Sequence, residues 1–168
     1  TSMLVIKALF ACPHGVFTMS KAIPGIVETS DNLAIVRINE GKLDLQISVR
    51  SNVDTAKYYL VDRLKVCLES FGIDCKTGDE YPAWTPNPDS PLARFCAQAY
   101  EQQTGKKPVV TAIHAGLECS VINSRCPGMD SVSIGPQLYD IHSTAERLSI
   151  SSSLRVYEFM RHLLSIIR

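Results

Sequence analysis

Two runs of the chain, residues 34–38 and 42–50, place apolar residues at every other position, the pattern of strands with one buried face. In the first run Val36 and Ile38 flank Arg37. The second run has apolar residues at every other position, namely Leu43, Leu45, Ile47 and Val49. Asn39-Glu40-Gly41 separates the runs, and turn residues between two such runs predict a hairpin. We therefore expect an antiparallel hairpin with one polar face.

A helical spacing of apolar residues follows the hairpin, at Leu60, Leu64, Cys67, Leu68 and Phe71. This spacing predicts a helix with one buried face, capped by Asp54 or Thr55 and ended by Gly72. An earlier apolar run, residues 3–11, predicts a helix that stops before proline. With a short strand expected at 73–81, the first part is an α/β layer, in which a helix covers an antiparallel sheet.

Residues 81–91 hold four of the nine prolines and are expected to be an irregular linker. Asp89-Ser90-Pro91 then begins a helix that stops at Gly105. Beyond it the pattern predicts a strand at 108–113, a helix at 116–125, a strand at 130–136 and a last helix from Ser152 or Ser153. Strands that alternate with helices imply crossover units, and the linker separates residues 1–80 from 81–168.

Composition narrows the possible partners. Lys and Arg total 17, as do Asp and Glu, so neither nucleic acid nor an anionic membrane surface is expected. The six cysteines form no C-x-x-C pair and are expected to be buried free thiols of a cytoplasmic protein. No apolar run is long enough to span a membrane. The first residues lack the basic start of a signal peptide and look like a chain that begins inside a helix.

Three places carry residues suited to a site. His142 follows a predicted strand and a Gly-Pro pair, near the strand end where open α/β sheets bind ligands. Since zinc takes three or four ligands, an ordinary surface histidine remains an alternative. In the stretch from His114 to Glu118, the lack of a side chain at Gly116 would let the backbone approach a ligand closely. A plain strand-to-helix turn, with no ligand, explains the stretch equally well. Arg50 ends a hairpin strand, where it is either solvated or directed at a carboxylate.

Seven stretches carry a resemblance: "PHGVFTMS", "GIVETSDNLAIV", "ISVRS", "YPAWTPNPDS", "IHAGLECSVI", "PGMDSVSIGP" and "HSTAERLSISS". Together they resemble the C-terminal part of the bacterial aminoacyl-histidine dipeptidases, also called Xaa-His or cytosol nonspecific dipeptidases. They occur in that family's order and cover nearly the whole chain. "IHAGLEC" and the Tyr-Pro-x-Trp-x-Pro stretch are the specific ones.

The resemblance implies an α/β hydrolase whose catalytic domain holds two zinc ions and carries an inserted lid domain. Residues 1–77 resemble the last part of the lid, which is a dimerisation-type domain, and residues 78–168 resemble the C-terminal part of the catalytic domain. By the same comparison, His142 matches the histidine that completes the metal cluster. Arg50 matches the lid arginine that grips the substrate's terminal carboxylate. His114, Gly116 and Glu118 fall in the turn that lines the substrate side.

The resemblance also implies that the chain is a fragment. The family's other zinc ligands and its general-base glutamate lie in an N-terminal half that has no counterpart here. We therefore expect no catalytic residue in this chain, no dipeptidase activity from it alone, and the missing half as its partner. "HSTAE" stands where the family has His-Ser-Pro-Asp-Glu, so Thr144 and Ala145 predict looser support of His142.

Two other functions remain open from the residues. A non-catalytic module would bind a partner, or form a homodimer, through the apolar surface of the hairpin and its helix. A small free-standing enzyme would use Cys119 as a nucleophile beside His114, which requires a lowered thiol pKa.

Overall fold

The computed structural model of the chain describes residues 2–85, 87–111 and 117–167. Its helices are α1 (Ser2–Ala11), α2 (Asp54–Glu69), α3 (Pro91–Thr104), α4 (Glu118–Arg125) and α5 (Ile150–Ile166). Its strands are β1 (Gly15–Met19), β2 (Val27–Asn39), β3 (Lys42–Ser51), β4 (Leu138–Tyr139) and β5 (Arg147–Leu148). The chain divides into two compact units: unit one is Thr1–Pro86 with Thr111–Arg125, and unit two is Asn87–Val110 with Cys126–Arg168.

The sheet of unit one runs β1-β2-β3 and is antiparallel throughout. Asn39 pairs with Lys42, so Glu40 and Gly41 form a two-residue turn with φ values of 48° and 77°. Two left-handed residues suit a hairpin because their backbone twist matches that of the strands. The predicted hairpin is confirmed. β1 is an additional strand, which the sequence of its five residues does not predict.

The core of unit one lies between this sheet and α2. Leu60, Leu64 and Leu68 are buried along one face of α2 and cluster with Cys12, which follows α1. Partly buried residues complete the cluster: Phe17, Leu45, Ile47, Val49, Ile73 and Cys75. The predicted apolar faces of the hairpin and of the helix are therefore the two surfaces that pack together.

Local details of unit one differ from the predictions. Val53, not Asp54 or Thr55, occupies the N-cap of α2, and no side chain caps it. The Asp54 carboxylate lies in the first turn and accepts from Lys57 Nζ at 2.8 Å instead. The strand expected at 73–81 is wrong, since these residues join no sheet. Ile73 and Cys75 still reach the core, which accounts for their apolar character.

Unit two is centred on two helices. Ser90 caps α3 by accepting from the Ala93 amide at 2.9 Å, Pro91 takes the first helical position and Gly105 ends the helix with φ 69°. These boundaries agree with the predicted signals. Cys96 and Ala99 of α3 pack on Phe159 and Leu163 of α5, and the ring of Tyr100 meets that of Phe159 edge-on.

The rest of the second half departs from the expected strands. Residues 108–111 and 130–136 are not in strands, and residues 112–113 lie outside the described part. The loop expected before α5 contains the short β4–β5 pair. α5 begins at Ile150, ahead of the predicted Ser152, because Ser149 is its N-cap. An extended segment becomes a strand only where a neighbour accepts its backbone hydrogen bonds.

All six cysteines are free thiols in the structure, but the expectation that they are buried holds only for Cys12 and Cys96, and Cys126 is exposed. Burial comes first among the causes that raise the pKa of Cys12 to about 11, so this thiol behaves as a small apolar side chain. No helix in the described ranges has the length and apolar character needed to cross a membrane.

Candidate functional site

His142 lies in unit two, in the loop that joins β4 to β5. Its backbone is left-handed, with φ 66°, and Asp140 two residues earlier has φ 51°. Residues other than glycine adopt this conformation rarely, and usually where local bonds hold them there. The side chain of His142 is exposed, so the loop presents the imidazole outward.

Hydrogen bonds within the loop hold this conformation. The Glu146 carboxylate accepts from the backbone amide of His142 at 2.9 Å. Ser143 makes a turn by donating its amide to the Asp140 carbonyl at 3.2 Å and its hydroxyl to the same oxygen at 2.7 Å. Its carbonyl accepts in turn from the Glu146 amide at 3.2 Å. The loop is thus braced around His142 even though Thr144 and Ala145 replace the expected proline and acid.

The neck of the loop is closed by a charged contact. Arg147 forms an ion pair with Asp140, and its guanidinium lies 5.1 Å from the centre of the Tyr139 ring. Below the neck, the Ser149 amide donates to the Gln137 carbonyl at 3.0 Å. The Gln137 amide donates to Ser152 Oγ at 2.6 Å. The loop is therefore joined to the first turn of α5.

A metal ion would need more ligands than His142 supplies. A neutral imidazole is a common zinc ligand, and the exposed ring of His142 suits that role as one member of a set. Within residues 2–85, 87–111 and 117–167, no group of three His, Cys, Asp or Glu side chains is placed to hold a metal. The chemistry of His142 thus fits one ligand of a shared site, and its metal role stays a prediction.

Arg50 lies near the end of β3 in unit one. It pairs with Ser30 across the β2–β3 ladder and is exposed, whereas its neighbour Val49 faces the core of α2. Period-two alternation therefore puts Arg50 on the face of the sheet opposite α2. Beyond it, Ser51 Oγ lies 2.9 Å from Thr29 Oγ1 and accepts from the Val53 amide at 3.0 Å. These bonds support the backbone that carries Arg50.

The remaining predicted residues belong to the stretch before and within α4. Glu118 is exposed in the first turn of α4, in unit one. His114 and Gly116 lie outside the described residues, so their predicted roles stay predictions. Cys119 is half-buried in α4. Arg50 and Glu118 thus belong to one unit and His142 to the other.

A charged cluster around Lys57 was not predicted. Lys57 is buried, and its ammonium donates to Asp54 Oδ1 and to the Tyr81 carbonyl, each at 2.8 Å. Glu80 Oε1 lies 3.4 Å from the same nitrogen and also accepts from the Tyr58 hydroxyl. Burial opposes the charge on Lys57, but its hydrogen bonds and ion pairs leave the pKa raised. The cluster ties the start of the proline-rich linker to the first turns of α2.

The same contacts set the protonation of the cluster's carboxylates. Burial opposes ionisation of Asp54, but hydrogen bonds from Lys57 and from the Ala83 amide outweigh it and hold the pKa below its usual value. The hydrogen bond with Tyr58 lowers the pKa of Glu80. Beside the cluster is a pocket of about 350 Å³, lined by Asp54, Tyr58, Glu80, Pro82, Ser124 and Arg125. Among the predicted site residues that the structure describes, Arg50, Glu118 and His142 are not in this lining, so we assign the cluster to anchoring.

A second unpredicted contact holds the segment that leads towards His142. The Asp130 carboxylate accepts from Ser90 Oγ at 2.7 and 2.8 Å and from the Leu92 amide at 3.0 Å. The bond from the Leu92 amide comes first among those that lower the pKa of Asp130. Asp130 therefore joins residues 130–136 to the N-terminus of α3. No spacing in the sequence marks a contact across forty positions.

Comparison with known proteins confirms the resemblance. No protein-family model matches the chain. The cytosol non-specific dipeptidase of Escherichia coli (strain K12) is 33% identical over 159 residues, which cover 95% of this chain and 33% of that protein. The crystal structure of aminoacylhistidine dipeptidase from Vibrio alginolyticus matches with a TM-score of 0.84 and 34% identity, over 99% of this chain and 34% of that one.

A more distant structure shares the fold alone. Aminopeptidase PepT from Bacillus cereus ATCC 10987 has a TM-score of 0.74 and 17% identity, covering 96% of this chain and 44% of its own. These matches confirm the α/β class. This chain spans about a third of the length of the two dipeptidases.

Proposed function

We propose that the parent protein of this chain is a metal-dependent dipeptidase that acts on dipeptides such as Xaa-His. The premise is that the chain is homologous to about a third of the length of each of the two dipeptidases that it matches. The observation that carries the proposal is the extent of the match: at 33–34% identity, 95–99% of this chain corresponds to proteins named dipeptidases. We also propose a cytoplasmic location for the parent protein, in line with the name of its Escherichia coli relative.

Each predicted site residue has one role in this proposal. His142 is a zinc ligand, as the resemblance implies, and the exposure of its imidazole on a braced loop supports this role. Arg50 binds the terminal carboxylate of the dipeptide, since a guanidinium makes charge-assisted hydrogen bonds to carboxylates. His114, Gly116 and Glu118 line the substrate side. Zinc, when bound, polarises the scissile carbonyl and activates water.

The chain alone is inactive in this proposal, because its described residues supply one predicted ligand and zinc needs at least three from protein. Residues 1–77 form the end of the lid and residues 78–168 the end of the catalytic domain. The partner that completes the site is the N-terminal part of a dipeptidase.

Complementation tests the proposal. The N-terminal two thirds of the Vibrio alginolyticus protein would be mixed with this chain and zinc, and hydrolysis of an Xaa-His dipeptide measured. We expect activity and bound zinc only in the mixture, both abolished by His142→Ala. His162→Ala on α5 is the matched control and should leave them unchanged. A folded mixture without zinc or hydrolysis would contradict the proposal.

One observation favours the alternative, a non-catalytic module that associates with a second copy. Exposed apolar side chains cluster on α1, where Phe10 is 93% exposed and Met3 and Ile6 are more than half exposed. Apolar surface of this kind promotes association. Sedimentation of the isolated chain separates the cases: a folded monomer at high concentration contradicts the alternative, whereas a dimer abolished by Phe10→Ser supports it.

A further inference from the structure

In the loop that carries His142, the side chain of Glu146 forms a hydrogen bond with the backbone of His142 itself. The Glu146 carboxylate accepts from the His142 amide at 2.9 Å. The other bonds of the loop hold its turn and its neck: Ser143 bonds to Asp140, and Arg147 pairs with Asp140. Glu146 is therefore the side chain whose removal would act first on the backbone of His142.

The backbone conformation decides where the imidazole points. His142 has φ 66°, and an amide that bonds to a carboxylate four residues later keeps its peptide plane in one orientation. If this bond is lost, the residue is free to return to the right-handed or extended region that L-residues favour. The Cβ direction then changes, and the ring leaves the position that the loop gives it.

We propose that Glu146 is a positioning residue for His142 and that its carboxylate fixes the direction in which the imidazole meets a metal ion. This inference rests on the proposed function, in which His142 is a zinc ligand. It also explains how the loop tolerates Thr144 and Ala145: the support comes from Glu146. Groups that orient a ligand contribute to metal affinity through the geometry they maintain.

The first experiment needs no metal. Amide hydrogen exchange at His142 would be measured by NMR on the 168-residue chain. Glu146→Ala should speed exchange at this amide about tenfold, the equivalent of one hydrogen bond to a charged group. Glu146→Gln keeps an acceptor oxygen and should restore most of the protection. Glu158→Ala on α5 is the matched control and should change nothing at His142.

The second experiment measures zinc affinity in the complemented mixture. Glu146→Ala should weaken zinc binding about tenfold, as loss of an orienting partner does. Glu146→Gln should stay near the unsubstituted chain, and Glu158→Ala should match it. If exchange at the His142 amide is unchanged in Glu146→Ala, or if exchange rises while zinc affinity does not fall, the inference is overturned.

A failure of the proposed function gives a different result. In that case the unsubstituted mixture would bind no zinc, or the mixture with His142→Ala would bind it as tightly. The exchange data would still show whether Glu146 holds the loop, so the two failures are distinguishable.

Discussion

The two units differ in whether their extended segments pair with neighbouring strands. In unit one, β1, β2 and β3 pair with one another, and α2 covers one face of the sheet they form. In unit two, residues 108–110 and 130–136 join no sheet within the described ranges, and the core is the contact between α3 and α5. The comparison teaches that an apolar alternation yields a strand only where a partner strand is available.

The candidate residues follow the same division. Arg50 lies on a strand that is paired within its own unit, so its backbone position is set by the ladder with β2. His142 lies in a loop whose support is local and comes from residues 137–152. Arg50 thus depends on a packed core, whereas His142 depends on a few hydrogen bonds.

The largest expected effect is a loss of stability when the core of unit one is disrupted. Leu60 is fully buried, and Leu60→Ala should lower the free energy of unfolding by about 3 kcal/mol through lost contacts and a cavity. Urea unfolding followed by the fluorescence of Trp84, the single tryptophan, measures it. Val66→Ala on the exposed side of α2 is the control. Equal effects from both substitutions would contradict the assigned core.

The second prediction concerns the function assigned to the sheet face of unit one. In the complemented mixture, Arg50→Ala should raise KM for dipeptides about 10- to 100-fold, since hydrogen bonds to a charged group contribute about 1.5–3 kcal/mol. The effect on kcat should be small, because the carboxylate is bound equally in substrate and transition state. Arg37→Ala, farther along the hairpin, is the control. An unchanged KM would refute the role of Arg50.

A smaller effect is expected at the start of α3 in unit two. Ser90 caps this helix and donates to Asp130, so Ser90→Ala should cost about 1 kcal/mol. Thermal unfolding followed by circular dichroism measures the loss. Ser165→Ala, an exposed serine near the end of α5, should have no comparable effect. If the two variants melt at the same temperature, the cap contributes less than its geometry indicates.

The smallest effect is a pH dependence in unit one. Burial raises the pKa of Asp31, although nearby His14 and backbone amides act in the other direction. A raised folded-state pKa favours the protonated form, so the stability linked to it is full at acid pH and is lost as pH rises through that pKa. Asp31→Asn should therefore melt higher than the unsubstituted chain at pH 7.

The same comparison at lower pH provides the control. The difference between the two proteins should shrink as pH falls below the ordinary carboxyl pKa of about 3.9, since both side chains are then neutral. Asp44→Asn, on an exposed position of β3, should show no such trend. A difference that stays constant from pH 4 to pH 7 would contradict the raised pKa of Asp31.

Most of unit one was predictable because its signals are local. The hairpin follows from period-two alternation and from Glu40-Gly41, and α2 follows from the spacing of Leu60, Leu64 and Leu68. The contacts of Lys57 were not predictable, since they join α2 to Glu80 and Tyr81 more than twenty positions away. A lysine at that position looks like any exposed helix residue until the linker covers it.

The candidate site was predictable only in part. Its residues were singled out from local sequence patterns, and the resemblance supplied their roles; the domain boundary at residues 77 and 78 stays a prediction. The hydrogen bond from the His142 amide to Glu146 was not predicted, because a short polar loop carries no sequence signal for a histidine in the left-handed conformation. The ion pair of Asp140 and Arg147 was not predicted either, because the strands β4 and β5 that bring it together have two residues each and show no periodicity.

The sequence by itself determined the helices α1, α2, α3, α4 and α5, the β2–β3 hairpin and the resemblance to a dipeptidase. These depend on spacing, turn residues and caps, which act over a few positions. Only the tertiary structure decided which predicted strands form, where Lys57 and Asp130 find their partners and how the loop holds His142. Such features depend on hydrogen bonds and buried charges whose partners are often distant in sequence and meet only when the chain folds.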